Sequence, residues 1–266
     1  MAELKAVIFD VDGTLADTER DGHRLAFNAA FREFGLDWHW DAAQYGDLIL
    51  VAGGKERLRH WITHHAPECA LGRDVERWVG ELHAAKTRLF RELLARRAIP
   101  PRLGVARLLA ELRGAGVRLG IATTMSEEGL LALLRALFGD EAPGWFDAIG
   151  AGDVVLSKKP APDVYLWVLG RLGLRAADCL AIEDSEHGLK AAQGAGIPAV
   201  VTVSPYSKGS EFADAVAVVS DLGEPGQPMT LIRGDAGGAE YVDLGLLRRW
   251  HGAPAHRIQD EGGSDA

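Results

Sequence analysis

After about residue 100, short apolar runs alternate with longer helical patterns, and this alternation limits the fold more than any other feature. Parallel strands cannot be joined by a tight hairpin and need a long crossover, usually a helix. The alternation therefore predicts βαβ units and an α/β fold with a parallel sheet. The predicted strands are 6–9, 117–122, 147–151, 179–182, 199–203 and 215–219, and the predicted helices are 103–115, 126–138, 161–173 and 186–195.

A helical block, residues 18–97, separates the first strand from the rest of this pattern. It contains no strand-like run, and its apolar spacing predicts four helices, at 18–34, 41–50, 55–65 and 74–97. The consecutive prolines at 100 and 101 mark the return to the core, because the residue before a proline avoids helical conformations. We therefore expect a core domain, residues 1–17 and 98–222, with an inserted all-helical cap domain, residues 18–97.

The last part of the chain, residues 223–266, is expected to form a C-terminal extension. Glycine and proline dominate residues 223–228, which is the composition of a linker. The apolar residues of 241–250 have helical spacing, so this segment is expected to dock on the core. Residues 251–266 lack periodicity and are predicted to be disordered.

Charge and composition exclude several classes of partner. The 266 residues carry a formal net charge of −9, which disfavours nucleic acid as a partner. No apolar run approaches the length of about 18 residues that a membrane span needs, and the N-terminus lacks the features of a signal peptide. The two cysteines, Cys69 and Cys179, lack metal-type spacing. We expect a cytoplasmic monomer with reduced, buried thiols that binds a small molecule and no membrane.

Two carboxylates follow the first predicted strand, in the segment Asp10-Val11-Asp12-Gly13-Thr14-Leu15. Charges at the exit of a buried strand are costly unless they are paired or bind a metal. Asp10 suits a nucleophile that forms an aspartyl-phosphate, and Asp12 suits a general acid and base. Gly13 permits a tight turn in which backbone N–H groups approach a phosphate. The alternative interpretation is an Asx-turn that only closes the strand.

Polar residues also follow the second and third core strands, and ligands of parallel α/β sheets bind beyond such strand ends. Thr123, Thr124 and Ser126 offer hydroxyl or N–H groups to a phosphate, or else form an ST-turn and helix cap. Lys159 would neutralise the phosphate and Asp10 together. The alternative is a solvated pair, Lys158 and Lys159, before a helix that begins with proline.

Glu183, Asp184 and Ser185 end another predicted strand. A carboxylate beside Asp10 would form a hard-oxygen site suited to Mg²⁺. We expect the ligands to be the Asp10 and Asp184 carboxylates and the Asp12 backbone carbonyl, with Glu183 a weak or indirect ligand. The alternative is that Asp184 or Ser185 caps the following helix.

The cap block contains a second candidate anion site, Gly53-Gly54-Lys55-Glu56-Arg57. The two glycines expose backbone N–H groups, and Lys55 and Arg57 add positive charge at a helix N-terminus. Cations at that end of a helix are unfavourable without an anion nearby. A loop followed by a basic first helical turn is the alternative.

Together, the Asp10/Asp12 pair, Thr123, Lys159 and Glu183-Asp184 resemble motifs I to IV of the haloacid dehalogenase (HAD) superfamily, over the chain up to about residue 220. The resemblance implies a Rossmann-like core with a helical cap that opens and closes, Mg²⁺ dependence and an aspartyl-phosphate intermediate. A second Asp at position 12 is typical of phosphatases and mutases in that superfamily. Because these polar positions are all present, an enzyme is favoured over a HAD-fold protein that only binds.

Three cap segments resemble the CbbY group of HAD phosphatases: residues 17–23, residues 38–45 and residues 53–57. In that group the reaction removes a phosphate from xylulose 1,5-bisphosphate, an inhibitory by-product of Rubisco. The resemblance nominates Glu19, His23 and Tyr45 as substrate-binding residues. β-Phosphoglucomutase is the alternative family, but its cap carries a Gly-x-Ser-Arg type of loop where this chain has Gly-Gly-Lys-Glu-Arg.

Overall fold

The computed structural model describes residues 3–51, 53–96 and 99–252, apart from the side chain of Asp153. Within these residues the strands are β1 (Ala6–Phe9), β2 (Arg118–Ala122), β3 (Ala148–Gly150), β4 (Cys179–Glu183), β5 (Ala199–Thr202), β6 (Ala217–Val219) and β7 (Leu231–Arg233). The helices are α1 (Arg24–Glu33), α2 (Ala42–Leu48), α3 (Gly54–His65), α4 (Val75–Ala95), α5 (Val105–Gly114), α6 (Glu127–Phe138), α7 (Asp163–Leu172), α8 (Glu186–Gly194) and α9 (Leu244–Gly252).

Backbone contacts divide the chain into two compact units. The core unit comprises Met1–Leu15, Pro101–Glu127 and Glu141–Ala266, and the cap unit comprises Ala16–Pro100 and Glu128–Asp140. The cap unit contains helices α1, α2, α3 and α4, and a π-helical turn at Glu19–His23 precedes α1. Most of α6 groups with the cap unit as well.

The described strands form one sheet in the order β3-β2-β1-β4-β5-β6-β7. All neighbouring pairs are parallel except β6 and β7, so the predicted parallel α/β fold is confirmed. Every residue of β1 is fully buried, which explains why this strand appears in the sequence as a continuous apolar run rather than an alternating one. The order places β1 between β2 and β4, so the polar residues that follow these three strands start from adjacent positions.

Most predicted element bounds agree with the structure to within two residues, because glycines and caps mark many of the ends. Gly173, for example, ends α7 with a left-handed φ of +63°. In the cap unit, Asp41 and Gln44 form a capping box that begins α2. The predicted first cap helix, 18–34, is divided into the π-helical turn and α1.

The described part of the expected C-terminal extension groups with the core unit. The short strand β7 pairs with β6 and escaped prediction because it has three residues and is largely exposed. Helix α9 docks as expected: Leu244 donates its backbone N–H to Glu111 of α5 (3.1 Å). His251 and Gly252 are helical rather than disordered, and residues 253–266 lie outside the described part of the chain.

Two further expectations concern the environment of the chain. Along the described residues, no helix is both long and apolar enough to cross a membrane. Cys69 and Cys179 form no disulfide; Cys179 is buried, as predicted, whereas Cys69 is only half-buried. Burial raises the pKa of the Cys179 thiol to about 11, so this side chain stays protonated and unreactive.

Candidate active site

Three buried carboxylates lie together at the ends of β1 and β4. Asp10 directly follows β1, Glu183 is the last residue of β4, and Asp184 follows it. One oxygen from each carboxylate lies within 4.8 Å of the others. Parallel pairing of β1 with β4 produces this arrangement, and the Asp10 N–H donates to the Ile182 carbonyl (2.9 Å).

Lys159 enters this cluster from the loop between β3 and α7. Its ammonium group donates to Asp10 Oδ1 (2.7 Å) and to Glu183 Oε1 (2.6 Å), and its side chain is 7% exposed. A solvated lysine pair is therefore wrong for Lys159. Lys158, by contrast, donates to the Val155 carbonyl (3.2 Å) and also contacts the Gly152 carbonyl, so it holds its own loop.

Tyr165 of α7 is a member of the site that the sequence did not reveal. Its hydroxyl donates to Glu183 Oε1 (2.5 Å), and the ring is fully buried. Glu183 Oε1 thus has two donors, while Oε2 is buried without a hydrogen-bond partner among the described residues. An orphaned buried carboxylate oxygen is costly unless a cation or water reaches it.

Charge in the cluster is unbalanced. Burial raises the pKa of Glu183 to about 7, although Lys159 opposes the shift. Burial and the nearby Asp10 also raise the pKa of Asp184 well above its ordinary value. Burial alone would lower the pKa of Lys159, but Asp10 and Glu183 outweigh it and raise that pKa. Three carboxylates around one ammonium group therefore form a hard-oxygen site that favours a divalent cation.

Of the two residues that could cap the helix after β4, Asp184 and Ser185, it is Ser185 that caps α8. Its side chain accepts a hydrogen bond from the Gly188 N–H (3.1 Å) and begins α8. The Asp184 carboxylate is thereby left to the cluster, where Ser204 hydrogen-bonds to it. Gly188 has a second role, because a Cβ on it would lie 1.8 Å from Glu183 Oε2.

The three hydroxyl residues predicted to bind phosphate after β2 differ in their environment. Thr123 is buried, and its oxygen accepts the Met125 N–H (3.1 Å), which is the ST-turn interpretation. Its own O–H remains a donor that can serve a phosphate. Thr124 and Ser126 are exposed. Asp12 is half-buried next to the tight turn at Gly13, where φ is +88°.

In the cap unit, three predicted substrate residues contact one another. Arg57 donates to the Tyr45 hydroxyl (2.6 Å), and that hydroxyl donates to Glu19 Oε2 (2.6 Å). Arg57 also donates to the Leu48 carbonyl (3.1 Å), and both Arg57 and Tyr45 are buried. Arg57 was predicted to add positive charge to the cap anion site; in the structure its guanidinium is buried and binds the Tyr45 hydroxyl and the Leu48 carbonyl. In the same network Tyr45 holds Glu19.

His23 has a partner that was not predicted. Its Nδ1 lies 2.9 Å from the ammonium nitrogen of Lys86, and its ring packs on Phe90 with centroids 4.1 Å apart. Burial, Lys86, Arg57 and His83 together lower the pKa of His23 well below its ordinary value. A sequence signal for Lys86 exists, because it interrupts the buried stripe of α4 formed by Leu82, Phe90 and Leu94.

The glycine loop of the cap unit keeps the geometry that was predicted for an anion site. Gly53 has a φ of +95°, and α3 begins at Gly54, so the first N–H groups of a twelve-residue helix start here. A Cβ at Gly54 would lie 2.7 Å from His83 Nε2, so a larger residue would require the His83 ring to move. Lys55 is exposed beside these N–H groups.

Comparisons with known proteins agree with this geometry. A family model for haloacid dehalogenase-like hydrolases matches residues 4–196. Protein CbbY (plasmid) of Cupriavidus necator is 51% identical over 249 residues, which cover 93% of this chain and 97% of that protein.

Two solved structures are informative. A CbbY variant from Rhodobacter sphaeroides in complex with xylulose-(1,5)bisphosphate has 41% identity and a TM-score of 0.72, covering 82% of this chain and 94% of that one. A putative β-phosphoglucomutase from Thermotoga maritima has 28% identity and a TM-score of 0.65, covering 81% and 94%. The chain belongs to the haloacid dehalogenase-like hydrolase family, groups there with the CbbY proteins and is a phosphatase.

Proposed function

We propose that this phosphatase depends on Mg²⁺ and removes one phosphate from a sugar bisphosphate, with xylulose 1,5-bisphosphate converted to xylulose 5-phosphate. The observation that carries the proposal is the buried cluster in which Lys159 binds both Asp10 and Glu183. The choice of sugar is supported by the related Rhodobacter protein, which was crystallised with xylulose-(1,5)bisphosphate.

Asp10 acts as the nucleophile. Its carboxylate oxygen attacks phosphorus, the bond from phosphorus to the sugar oxygen breaks, and an aspartyl-phosphate forms. Asp12 gives its proton to the departing sugar oxygen. In the second step Asp12 takes a proton from water, the water oxygen attacks phosphorus, and Asp10 is released with inorganic phosphate.

Lys159 and Thr123 stabilise the phosphoryl group during both steps. The ammonium group of Lys159 already lies 2.7 Å from Asp10 Oδ1, where the phosphoryl oxygens must arrive. Donors that are fixed before the reaction need no reorganisation as charge develops. Tyr165 keeps Glu183 in place, and Glu183 in turn holds Lys159.

The donor set fits Mg²⁺. Asp10, Asp184 and the Asp12 backbone carbonyl would hold the ion, and Glu183 would contribute indirectly, since Lys159 and Tyr165 already bind its Oε1. When bound, the ion supplies the positive charge that the three buried carboxylates and the phosphate lack.

The cap unit would supply the site for the phosphate that is not removed. The N-terminal N–H groups of α3 and the exposed Lys55 favour an anion. Glu19 and His23 are the candidates for sugar hydroxyls, and Tyr45 and Arg57 hold Glu19 in position. A bisphosphate has a phosphate for each of these two anion sites, whereas a monophosphate has a phosphate for only one.

Replacing Lys55 by alanine is expected to lower kcat/KM for xylulose 1,5-bisphosphate by about 10²-fold, since a charge-assisted contact to a phosphate is lost. Hydrolysis of p-nitrophenyl phosphate should change little, because that substrate has one phosphate. Lys190→Ala is the control, since Lys190 is an exposed lysine paired with Glu186 on α8. Equal losses on both substrates would contradict the cap anion site.

Phosphate release from xylulose 1,5-bisphosphate, with Mg²⁺ and with excess EDTA, tests the proposed function. We expect rapid release with Mg²⁺ and loss of activity in EDTA that added Mg²⁺ restores. Full activity in EDTA would refute the metal requirement. Conversion of β-glucose 1-phosphate to glucose 6-phosphate with a bisphosphate primer, at a higher rate than phosphate release, would favour a mutase, to which one structural relative points.

A further inference from the structure

Arg102 lies where the chain re-enters the core unit, and its guanidinium binds three loops at once. Its Nη1 donates to Thr202 Oγ1 (2.9 Å) and the Thr202 carbonyl (3.1 Å), and it also contacts the Gly13 carbonyl. Its Nη2 donates to the carbonyls of Val203 (2.7 Å) and Ser220 (2.9 Å). The three loops are the turn after β1, the segment that begins at the last residue of β5, and the segment after β6.

The backbone of Arg102 strengthens this arrangement. Its N–H donates to the Leu15 carbonyl (2.9 Å), so both the main chain and the side chain of Arg102 bind the segment after β1. A guanidinium has five N–H donors in a planar fork and remains charged, and charge-assisted hydrogen bonds are stronger than neutral ones. Lysine has no such fork and cannot reproduce the set of contacts.

The contact with Gly13 connects Arg102 to the catalytic turn. Gly13 directly follows Asp12, and a Cβ at Gly13 would lie 2.1 Å from Asp184 Oδ2. The Asp184 carboxylate therefore occupies the space where a side chain at position 13 would lie, and the Arg102 guanidinium contacts the Gly13 carbonyl. These two neighbours limit how far the turn at Gly13, and Asp12 next to it, can shift.

We propose that Arg102 is a positioning residue that fixes Asp12, through the Gly13 carbonyl, for proton transfer to the departing oxygen. This inference rests on the proposed role of Asp12. Proton transfer requires the carboxyl to lie within hydrogen-bond reach of the leaving oxygen, and a displacement of about 1 Å can cost about 10²-fold in rate.

The dependence of kcat/KM on the leaving group tests the proposal. p-Nitrophenolate is a stable anion that departs without a proton, whereas an alkoxide needs one. Arg102→Lys should therefore lower kcat/KM for an alkyl phosphate about 10- to 100-fold more than for p-nitrophenyl phosphate. A purely structural defect would lower both by the same factor. Circular dichroism and thermal unfolding check that the variant folds.

Arg107→Lys is the matched control. Arg107 also lies in the core unit and donates through Nη2 to three carbonyls, those of Leu222 (3.2 Å), Gly223 (3.0 Å) and Val242 (2.9 Å). The Arg107→Lys variant should be less stable, but the ratio of kcat/KM for the alkyl phosphate to kcat/KM for p-nitrophenyl phosphate should not change. If Arg102→Lys does not fold, Thr202→Val removes one acceptor of the same guanidinium and should shift the ratio in the same direction, by less.

Asp12→Asn separates the two hypotheses. If the leaving-group dependence becomes steeper in Asp12→Asn but is unchanged in Arg102→Lys, the role of Arg102 alone is overturned. Thr202→Val takes the place of Arg102→Lys in this comparison if Arg102→Lys does not fold. An unchanged dependence in Asp12→Asn overturns the role of Asp12 and, with it, this inference. A steeper dependence in both Asp12→Asn and the Arg102 or Thr202 variant supports it.

Discussion

Replacing Asp10 by asparagine is expected to lower kcat by about 10⁴-fold or more, because an amide cannot form the phosphoryl–enzyme bond. The fold should persist, since asparagine has the same shape and its Oδ1 can still accept the hydrogen bond that Lys159 donates to Asp10 (2.7 Å). Phosphate release at saturating substrate measures the loss, and thermal unfolding checks the fold.

Asp214→Asn is the control for this substitution, because Asp214 is an exposed aspartate of the core unit. It should retain the activity of the unsubstituted chain. Activity of Asp10→Asn above a small fraction of that level would contradict the nucleophile assignment, provided that mass spectrometry shows no deamidation back to aspartate.

Replacing Lys159 by methionine is expected to lower the free energy of unfolding by about 3–5 kcal/mol, the usual cost of removing one partner of a buried ion pair. Asp10 and Glu183 would then face each other without the ammonium group that now binds both. Activity should fall as well, because the phosphoryl group loses a fixed donor. Urea unfolding in metal-free buffer measures the change.

The cost should depend on pH in a defined direction. The pKa of Glu183 is raised to about 7 in the folded chain, above its ordinary 4.5, so lowering the pH through 7 neutralises this carboxyl. The stability lost in Lys159→Met should therefore be largest above pH 7 and decrease toward pH 5. Lys158→Met is the control, and a loss equal to that of Lys159→Met would contradict the ion-pair explanation.

Much of the core could be predicted because buried parallel strands are continuous apolar runs separated by helices. β1 and β4 are examples, and polar residues directly after them had to share one sheet edge once the order was parallel. For this reason the sequence predicted that Asp10, Glu183 and Asp184 lie together, as they do in the structure. β7 was missed because three largely exposed residues carry too little pattern.

Other contacts depend on tertiary packing and left no local signal. Tyr165 lies within a helix, and only the packing of α7 brings its hydroxyl to Glu183. Arg102 follows two prolines in a connecting segment, yet it binds residues about one hundred positions away. Arg57 was predicted to be an anion ligand from its place in the loop, but its buried guanidinium binds Tyr45.

The most direct test of the account is a comparison of kcat/KM, with Mg²⁺, for xylulose 1,5-bisphosphate, ribulose 1,5-bisphosphate, fructose 1,6-bisphosphate and β-glucose 1-phosphate. A site that aims polar groups at particular hydroxyls rejects analogues that leave those groups unpaired. We expect xylulose 1,5-bisphosphate to give the highest value, ahead of ribulose 1,5-bisphosphate and well ahead of the monophosphate. A monophosphate preferred over every bisphosphate would contradict the account.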